Sequence, residues 1–561
     1  MTKRESAFRI PISTFAWLLF AAVVVFVYFF GLTIPLVGPD EPRYAQVARE
    51  MFERGDWVTP TLGGFHWFEK PALLYWLQIA AYEAFGVSEF SARLGPALFG
   101  LGTIASLWVL GRSLVTKCTG KEEKLVNGSR QNSEFSVTSV ASFANWLALI
   151  AASSIGIIVF SRGASFDIIL TFPITAAMVS FFIFDLTQSR KKAKPQSKEP
   201  IASGQNISAS PRFRVSVSLF AFYFFIGAAL LAKGLVGIVF PFAIVGFYYL
   251  LSWRFPSRAF WLSLVWGTLV SALVAATWYW PMYQRNGWEF IDEFFIQHHF
   301  QRFMSNKYFH PQPFYFFFWV LPLMTIPWLP FFVGAIWTFG KKIFHHRDTE
   351  NAELISSHSP RLRVAASPQL FFSLTLLLRF AVSWLLVPLV FFSFSGSKLP
   401  GYILPSVPPA LILTAVCVFR FVEKSEIRAR LVLATALATF IVVVGLIILV
   451  VPRFADTDSV KSLIGTANEN GYRSENILTL HTVSHNAEFY ASGRILRDDA
   501  GKQRKLLGPA EVADEIRKND GKPVLVLVPL EYLKQLLDSP LTQSTLLKDN
   551  GELAIVFVRA K

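Results

Sequence analysis

Cysteine, acidic side chains and phosphate-cradling glycine loops are all scarce in this chain, and each shortage removes a class of function. Only Cys118 and Cys417 are present among 561 residues. One lies in a basic loop and the other in an apolar run, so neither a disulfide framework nor a metal-thiolate cluster is available. Asp and Glu number 38 against 53 Lys and Arg, giving a formal net charge of +15. In a soluble chain this excess would point to nucleic acid. Here the cations gather in loops between apolar runs, the distribution that the positive-inside bias of membrane proteins produces, and nucleic acid is set aside as a partner. The C-terminal region contains no glycine-rich phosphate loop, and no internal repeat runs through the chain.

What the chain has in quantity is apolar surface: 53% of residues are hydrophobic and 16% aromatic. Many runs reach about 18 residues, the length that spans a bilayer. The reading is a polytopic α-helical membrane protein of about eleven spans, at 14–36, 93–113, 139–160, 167–187, 214–232, 235–252, 259–281, 314–339, 369–393, 400–419 and 431–451. The first run is too long for a signal-peptide core and reads as an uncleaved anchor, with Lys3, Arg4 and Arg9 on the cytoplasmic side. Ala72–Phe85 is apolar too, but its helix would cover about 21 Å of a hydrocarbon core of about 30 Å. Placing it in the interface puts the basic loops around Arg112–Lys124 and Arg190–Lys198 on the cytoplasmic side, with those at Arg254, Lys341 and Arg420. Segments 118–136 and 190–212, rich in Ser, Asn, Lys and Gln, read as flexible cytoplasmic loops.

After Pro452 the composition becomes that of a soluble domain. ILTLH, VLVLVPL and LAIVFVRA predict strands, and Asp456–Asn468, Pro509–Lys518 and Glu531–Leu537 predict helices. The expected division is a membrane domain, 1–452, and a small extracytoplasmic α/β domain, 453–561.

The stretch richest in chemistry is Gly38–Pro71, GPDEPRYAQVAREMFERGDWVTPTLGGFHWFEKP, a charged interruption between apolar neighbours. Tyr44, Val47, Ala48, Met51 and Phe52 fall at helical spacing, with Arg43, Gln46, Arg49, Glu50 and Glu53 on the other side. Pro42 is expected to open this amphipathic helix and Gly55 to close it. With the topology above, Asp40, Glu41, Glu69, Lys70, Arg162, Asp167, Lys233, His298, His299, Arg302 and Lys398 all fall on the outer face. Each also has an ordinary structural reading. Asp40, Glu41 and Asp167 suit helix starts; Glu69 and Lys70 suit an interfacial charge pair; Lys233 and Lys398 suit snorkelling anchors; and His299 suits a polar loop.

Two separated carboxylates and several cations at one membrane surface suit sugar transfer from a lipid phosphate. A carboxylate takes the acceptor's proton and cations stabilise the departing phosphate. Tyr44, Trp57, Trp67, Phe68, Tyr75 and Trp76 suit either sugar stacking or interface anchoring.

DEPRYAQVAREMFERGDWVTP followed by FEKPALLYWLQ resembles the first outer loop of the 4-amino-4-deoxy-L-arabinose lipid A transferases and the related dolichyl-phosphate-mannose protein mannosyltransferase superfamily, the C-type membrane glycosyltransferases. SRGASFDIILT, LAKGLVG, HHFQRFM and KLPGYILP are similar to further blocks in the same order, over roughly residues 14 to 420. The resemblance implies an inverting transferase of a bacterial inner membrane, taking a monosaccharide from a polyprenyl-phosphate-linked sugar to a lipid A, protein or other glycan acceptor. It implies Asp40, with Glu41 beside it, and Asp167 as the catalytic acids and bases. It implies Lys70, Lys233, Arg43 and Lys398 at the donor phosphate, and Glu69 with His299 as sharers of a divalent metal ion. Substrate identity does not follow from family membership. The competing class is a transporter or flippase of lipid-linked sugars, whose ionisable residues would lie near the midplane of repeated halves. A third is a membrane scaffold that displays its C-terminal domain.

Overall fold

A computed structural model describes residues 14–114, 133–193, 211–301, 311–344 and 368–561. The cationic N-terminus, Cys118, Arg302, and most of the two segments expected as flexible loops lie outside the described residues. Among the described residues, seven helices are long and apolar enough to cross a membrane. They are α4 (Glu89–Ser113), α7 (Phe166–Ala193), α8 (Pro211–Lys233), α10 (Arg258–Phe290), α13 (Pro368–Ser393), α14 (Val407–Val422, led in by the 3-10 turn Pro400–Ser406) and α15 (Glu426–Leu449). A bent pair, α5 (Ser133–Ala152) and α6 (Ile155–Arg162), qualifies as one further span. Shorter apolar helices α1 (Thr14–Phe29), α9 (Val236–Leu251) and α12 (Leu329–Phe344) occupy the remaining expected positions.

Two expected spans are not continuous. The segment 139–160 bends by 55° between α5 and α6. The segment 314–339 is interrupted between α11 (Phe316–Met324) and α12. The breaks face each other and satisfy each other: Ser154 Oγ donates to the Met324 carbonyl (2.7 Å), the Ile155 amide to the Ile326 carbonyl (2.9 Å), and Trp328 Nε1 to Ser153 Oγ (3.1 Å). Backbone groups freed inside a bilayer are tolerated only where protein supplies their partners.

The first span is also shorter than its apolar run, because α1 stops at Phe29. Arg162 donates to the Val27 and Phe30 carbonyls (2.5 Å each), and Arg93 takes those of Leu32 (3.1 Å), Ile34 and Pro35 (3.0 Å). These carbonyls bind guanidinium groups instead of continuing a helix. At the opposite end of the bundle, buried Asp185 on α7 accepts from Tyr248 (2.8 Å) and Tyr249 (2.9 Å) and pairs with Arg254 (3.3 Å). This ties α7 to the turn between α9 and α10.

Between α1 and α4 the chain forms α2 (Asp40–Arg54), the hairpin β1 (Thr61–Leu62) and β2 (Phe65–His66), and α3 (Leu73–Phe85). Helix α3 is not among the membrane-crossing candidates and packs between α2 and α4. Helix α2 begins at Asp40, before Pro42, and Gly55 caps its end. Its expected polar side is only partly solvated: Gln46 and Glu50 are buried, whereas Glu53 is exposed. Glu50 accepts from Gln46 (3.0 Å), Thr61 (2.7 Å) and the amides of Gly63 (2.6 Å) and Gly64 (3.1 Å), which anchors the hairpin.

The C-terminal region contains α16 (Val451–Asp458), α17 (Lys461–Glu469), β3 (Ile477–Leu480), α18 (His485–Tyr490), β4 (Lys505–Leu506), α19 (Pro509–Lys518), β5 (Val524–Pro529), α20 (Leu533–Leu537), β6 (Thr542–Asp549) and β7 (Leu553–Ala560). The sheet order is β4-β3-β5-β7-β6, with β3 parallel to β4 and β5, and β7 antiparallel to β5 and β6. The helix expected over Asp456–Asn468 is split at Ser459. Strand β6 escaped the apolar pattern because TQSTLLKD is a mostly exposed edge.

Candidate active site

The site grows from the turn before α2. Gly38 has φ 65°, a left-handed conformation that costs glycine little and turns the chain into the helix at Asp40. Asp40 is half-exposed and pairs with Arg43 one helical turn later (2.5 Å); Arg43 Nε also donates to the Pro39 carbonyl (2.9 Å). The guanidinium lies 5.8 Å from the Trp67 ring centroid, a cation–π distance. Burial alone would lower the Arg43 pKa, but the Glu69 and Asp40 carboxylates outweigh it and raise the pKa, so the side chain stays charged. Glu69 itself pairs with Lys70 (2.8 Å), both largely buried.

Glu41, adjacent to Asp40 in sequence, has a different environment. Its carboxylate is 9% exposed as a residue and accepts from Arg93 Nε (3.0 Å) and Nη2 (2.6 Å), the Val37 amide (3.0 Å) and the Ala164 amide (2.6 Å). Burial opposes its charge, but Arg93 and these donors hold the pKa below the usual carboxylate range.

A second pair stands where α6 turns into α7. Asp167 meets Lys233, the last residue of α8, at 2.5 Å. The ammonium lies 4.6 Å from the Tyr402 ring centroid. Gly401 packs so closely that a Cβ there would run into the Asp167 carboxylate and Phe160.

The two pairs are joined by Phe166, next to Asp167 in the chain. Tyr44 and Tyr75 contact its ring edge-on, with centroids 4.9 and 5.4 Å away. Burial, and then the charge of Glu69, raise both phenol pKa values well above the ordinary range. The Tyr75 hydroxyl is buried and has no hydrogen-bond partner among the described residues. Lys398, three residues before Gly401, is 7% exposed and donates to the carbonyls of Ser395 (2.7 Å) and Gln312 (3.0 Å). Burial lowers its pKa.

Of the residues singled out in the sequence, Asp40, Arg43, Glu69 and Lys70 form one cluster; Asp167 and Lys233 form the second. Arg162 and Glu41 instead hold the α1–α2 connection. His299 falls in a π-helical segment, Ile291–Gln301, and its side chain lies outside the described residues. His298 approaches Glu293 (3.8 Å). Among the described residues, no three His, Cys, Asp or Glu side chains are grouped to hold a metal ion. The sequence reading missed Arg93, Gly401 and Tyr402. Arg93 carries a usable signal, since a cation in the first turns of an apolar helix opposes the helix dipole and calls for a buried anion.

An apolar bundle of this length, carrying two carboxylate–cation pairs close together, has the C-type membrane glycosyltransferase fold. Two crystal structures of ArnT from Cupriavidus metallidurans superpose on it: the one bound to undecaprenyl phosphate has TM-score 0.69 and 22% identity, covering 97% of this chain and 98% of that one. The apo form has TM-score 0.66, also at 22% identity, covering 96% and 97%. The family model for dolichyl-phosphate-mannose-protein mannosyltransferases matches residues 13–120. The undecaprenyl phosphate-alpha-4-amino-4-deoxy-L-arabinose arabinosyl transferase of Yersinia pestis (strain Pestoides F) is 27% identical over 488 residues, 85% of this chain and 74% of that protein. Its Serratia proteamaculans counterpart is 28% identical over 402 residues, 70% and 58% of the respective chains. The chain is thus similar to these mannosyltransferases over residues 13–120 and to the 4-amino-4-deoxy-L-arabinose transferases over most of its length, and it shares the fold of the solved ArnT.

Proposed function

We propose that this chain moves a monosaccharide from a polyprenyl-phosphate-linked donor, of the undecaprenyl class, to an acceptor hydroxyl at the outer face of a bacterial inner membrane, with inversion at the anomeric carbon. The observation that carries this reading is the pairing of Asp40 with Arg43 and Asp167 with Lys233 on either side of Phe166. Asp40, the more exposed carboxylate, accepts the acceptor's proton as the hydroxyl oxygen attacks the anomeric carbon. The bond to phosphate breaks on the opposite face, and its electron pair leaves with the phosphate, which needs no protonation. Lys70, Lys233 and Lys398, with Arg43, stabilise that charge. Asp167 orients Lys233 and the sugar, and the buried Tyr75 hydroxyl keeps its hydrogen-bonding capacity unused. Glu41 holds the site's backbone, because four donors already occupy its oxygens.

An apolar cavity of about 250 Å³, lined by Val159, Phe160, Trp319, Leu323 and Pro400 among others, borders Gly401 through Phe160 and suits the polyprenyl tail. The lipid A, protein or glycan acceptor enters from the other side. Glu69 pairs with Lys70 and lies within electrostatic reach of Arg43, and the side chain of its expected co-ligand His299 lies outside the described residues, so no step is routed through a metal. The division falls at 452, with the N-terminus cytoplasmic and the C-terminal domain outside. Arg254 and Lys424, in connections expected inside, with Arg420 and Arg428 at the adjoining helix ends, support this orientation.

Asp40→Asn keeps the shape and removes the proton acceptor. Transfer should fall by about 10²–10⁴-fold, while binding of undecaprenyl phosphate persists. Wild-type turnover of a labelled lipid-linked sugar by that variant would remove Asp40 from the chemistry. Lipid movement across proteoliposomes without product would instead mark a flippase.

A further inference from the structure

The turn that delivers Asp40 is held from outside the membrane domain as well as from within it by Glu41 and Arg93. The Gly38 amide donates to Asp458 Oδ2 (2.8 Å), and the Leu36 amide to the Tyr490 hydroxyl (2.8 Å). Both acceptors are themselves fixed. Asp458 Oδ2 also accepts from Asn486 Nδ2 (3.2 Å), and Tyr490 donates to Glu89 Oε1 (3.1 Å), an oxygen that pairs with Lys461 as well (2.6 Å). Asn486 and Tyr490 belong to α18, which lies along α2. At its far end Arg49 Nη1 donates to Ser492 Oγ (2.7 Å) and to the Phe489 carbonyl (3.4 Å). Hence one short helix of the C-terminal domain contacts α2 along its length, with its start near Asp40.

His485, the first residue of α18, is within electrostatic reach of Arg43 and Asp40. Burial, and then the Arg43 charge, lower its pKa, so it faces this pair as a neutral group. The contacts are specific, joining these polar bonds to Phe489, which is buried in the same apolar cluster as Tyr44 and Met51 of α2. A left-handed Gly38 alone leaves the turn free to choose other conformations, whereas two amides tied to rigid partners leave it one.

We infer that the C-terminal domain is a working part of the transfer site, with Asp458 and Tyr490 as positioning residues that fix the turn 36–38 and thereby the direction of the Asp40 carboxylate. The inference rests on Asp40 being the proton acceptor. Neither residue touches substrate; both act through the backbone that carries Asp40.

The test uses the full chain in proteoliposomes, with undecaprenyl-phosphate-linked sugar as donor probe and isolated lipid A as acceptor probe. Asp458→Ala and Tyr490→Phe should each lower kcat about tenfold, as expected for a displaced reacting group. The donor KM and the affinity for undecaprenyl phosphate should stay within about twofold. Asp458→Asn, which can still accept the Gly38 N–H, should recover most of the loss. Amide exchange at Gly38 should accelerate in Asp458→Ala and not in Asp458→Asn. Arg517→Ala, on an exposed face of the same domain, should change nothing. A purely structural role would lower melting temperature and donor affinity together, without a selective loss in kcat, and would overturn the inference. So would wild-type kcat in both Asp458→Ala and Tyr490→Phe while Asp40→Asn is inactive. Wild-type turnover by Asp40→Asn would instead overturn the reading of the site, and the inference with it.

Discussion

Replacing Glu41 by Gln should cost this protein far more than the loss of one ordinary hydrogen bond. Arg93 is 4% exposed, and its guanidinium has Glu41 as its ion-pair partner, with contacts at 2.6 and 3.0 Å. Glutamine preserves the volume and one acceptor oxygen, but it presents an NH₂ where the carboxylate accepted N–H groups, and Arg93 is left a buried, uncompensated cation. Breaking such a pair from one side costs about 3–5 kcal/mol. The side chains are 5% and 11% exposed, so solvent screening removes little of this. The assay is thermal unfolding of detergent-purified protein followed by intrinsic fluorescence, with a clear fall in Tm expected for Glu41→Gln. The double variant Glu41→Leu/Arg93→Met should recover part of the loss, since it removes both charges. Because folding lowers the Glu41 pKa from about 4.5, its contribution is complete above that value. It disappears as pH falls through the folded pKa, so wild-type and Glu41→Gln stabilities should converge in acid. An unchanged Tm in Glu41→Gln would refute the view that this pair holds the α1–α2 connection.

Gly401→Ala places a methyl against the Asp167 carboxylate; it should separate Asp167 from Lys233 and reduce transfer about 10²-fold, with expression level as the control. Burial lowers the Lys398 pKa, so its charge is complete at low pH and is lost as pH rises through a value below the usual 10.5. Isothermal titration of undecaprenyl phosphate should therefore show affinity falling at alkaline pH earlier in wild type than in Lys398→Arg. Chelation of divalent cations should leave transfer unchanged, measured as product per minute before and after dialysis against EDTA; a loss restored by zinc would support Glu69 and His299 as ligands.

Much of this arrangement was readable in the sequence because membrane insertion imposes strong patterns. Long apolar runs and basic loops located the helices, and the isolated charged stretch at Gly38–Pro71 located the first cluster. The losses share one cause: they depend on a partner distant in sequence. Ser153–Ser154 sits inside an ordinary apolar run, and hydropathy does not register that its backbone bonds to Met324 and Ile326. Gln46 and Glu50 obey an amphipathic pattern, but the hairpin and α18 cover that side of α2. Asp40 and Glu41 are alike as residue types, and only their neighbours separate a half-exposed carboxylate from one saturated by Arg93.

The paired breaks in α5–α6 and α11–α12 also set an order for assembly. Ser154 and Met324 are 170 positions apart in the chain. At about 5–20 residues per second that interval is roughly 10–30 s. During it, the bend at Ser153–Ser154 has already entered the membrane without the carbonyls and indole that complete it. The early half of the bundle must therefore wait with open backbone groups, or as a straighter helix, until α11 and α12 arrive. Arrival of the later pair is the event that locks the bend beneath Asp167, so a truncated chain ending before Phe316 should insert but not acquire its final shape.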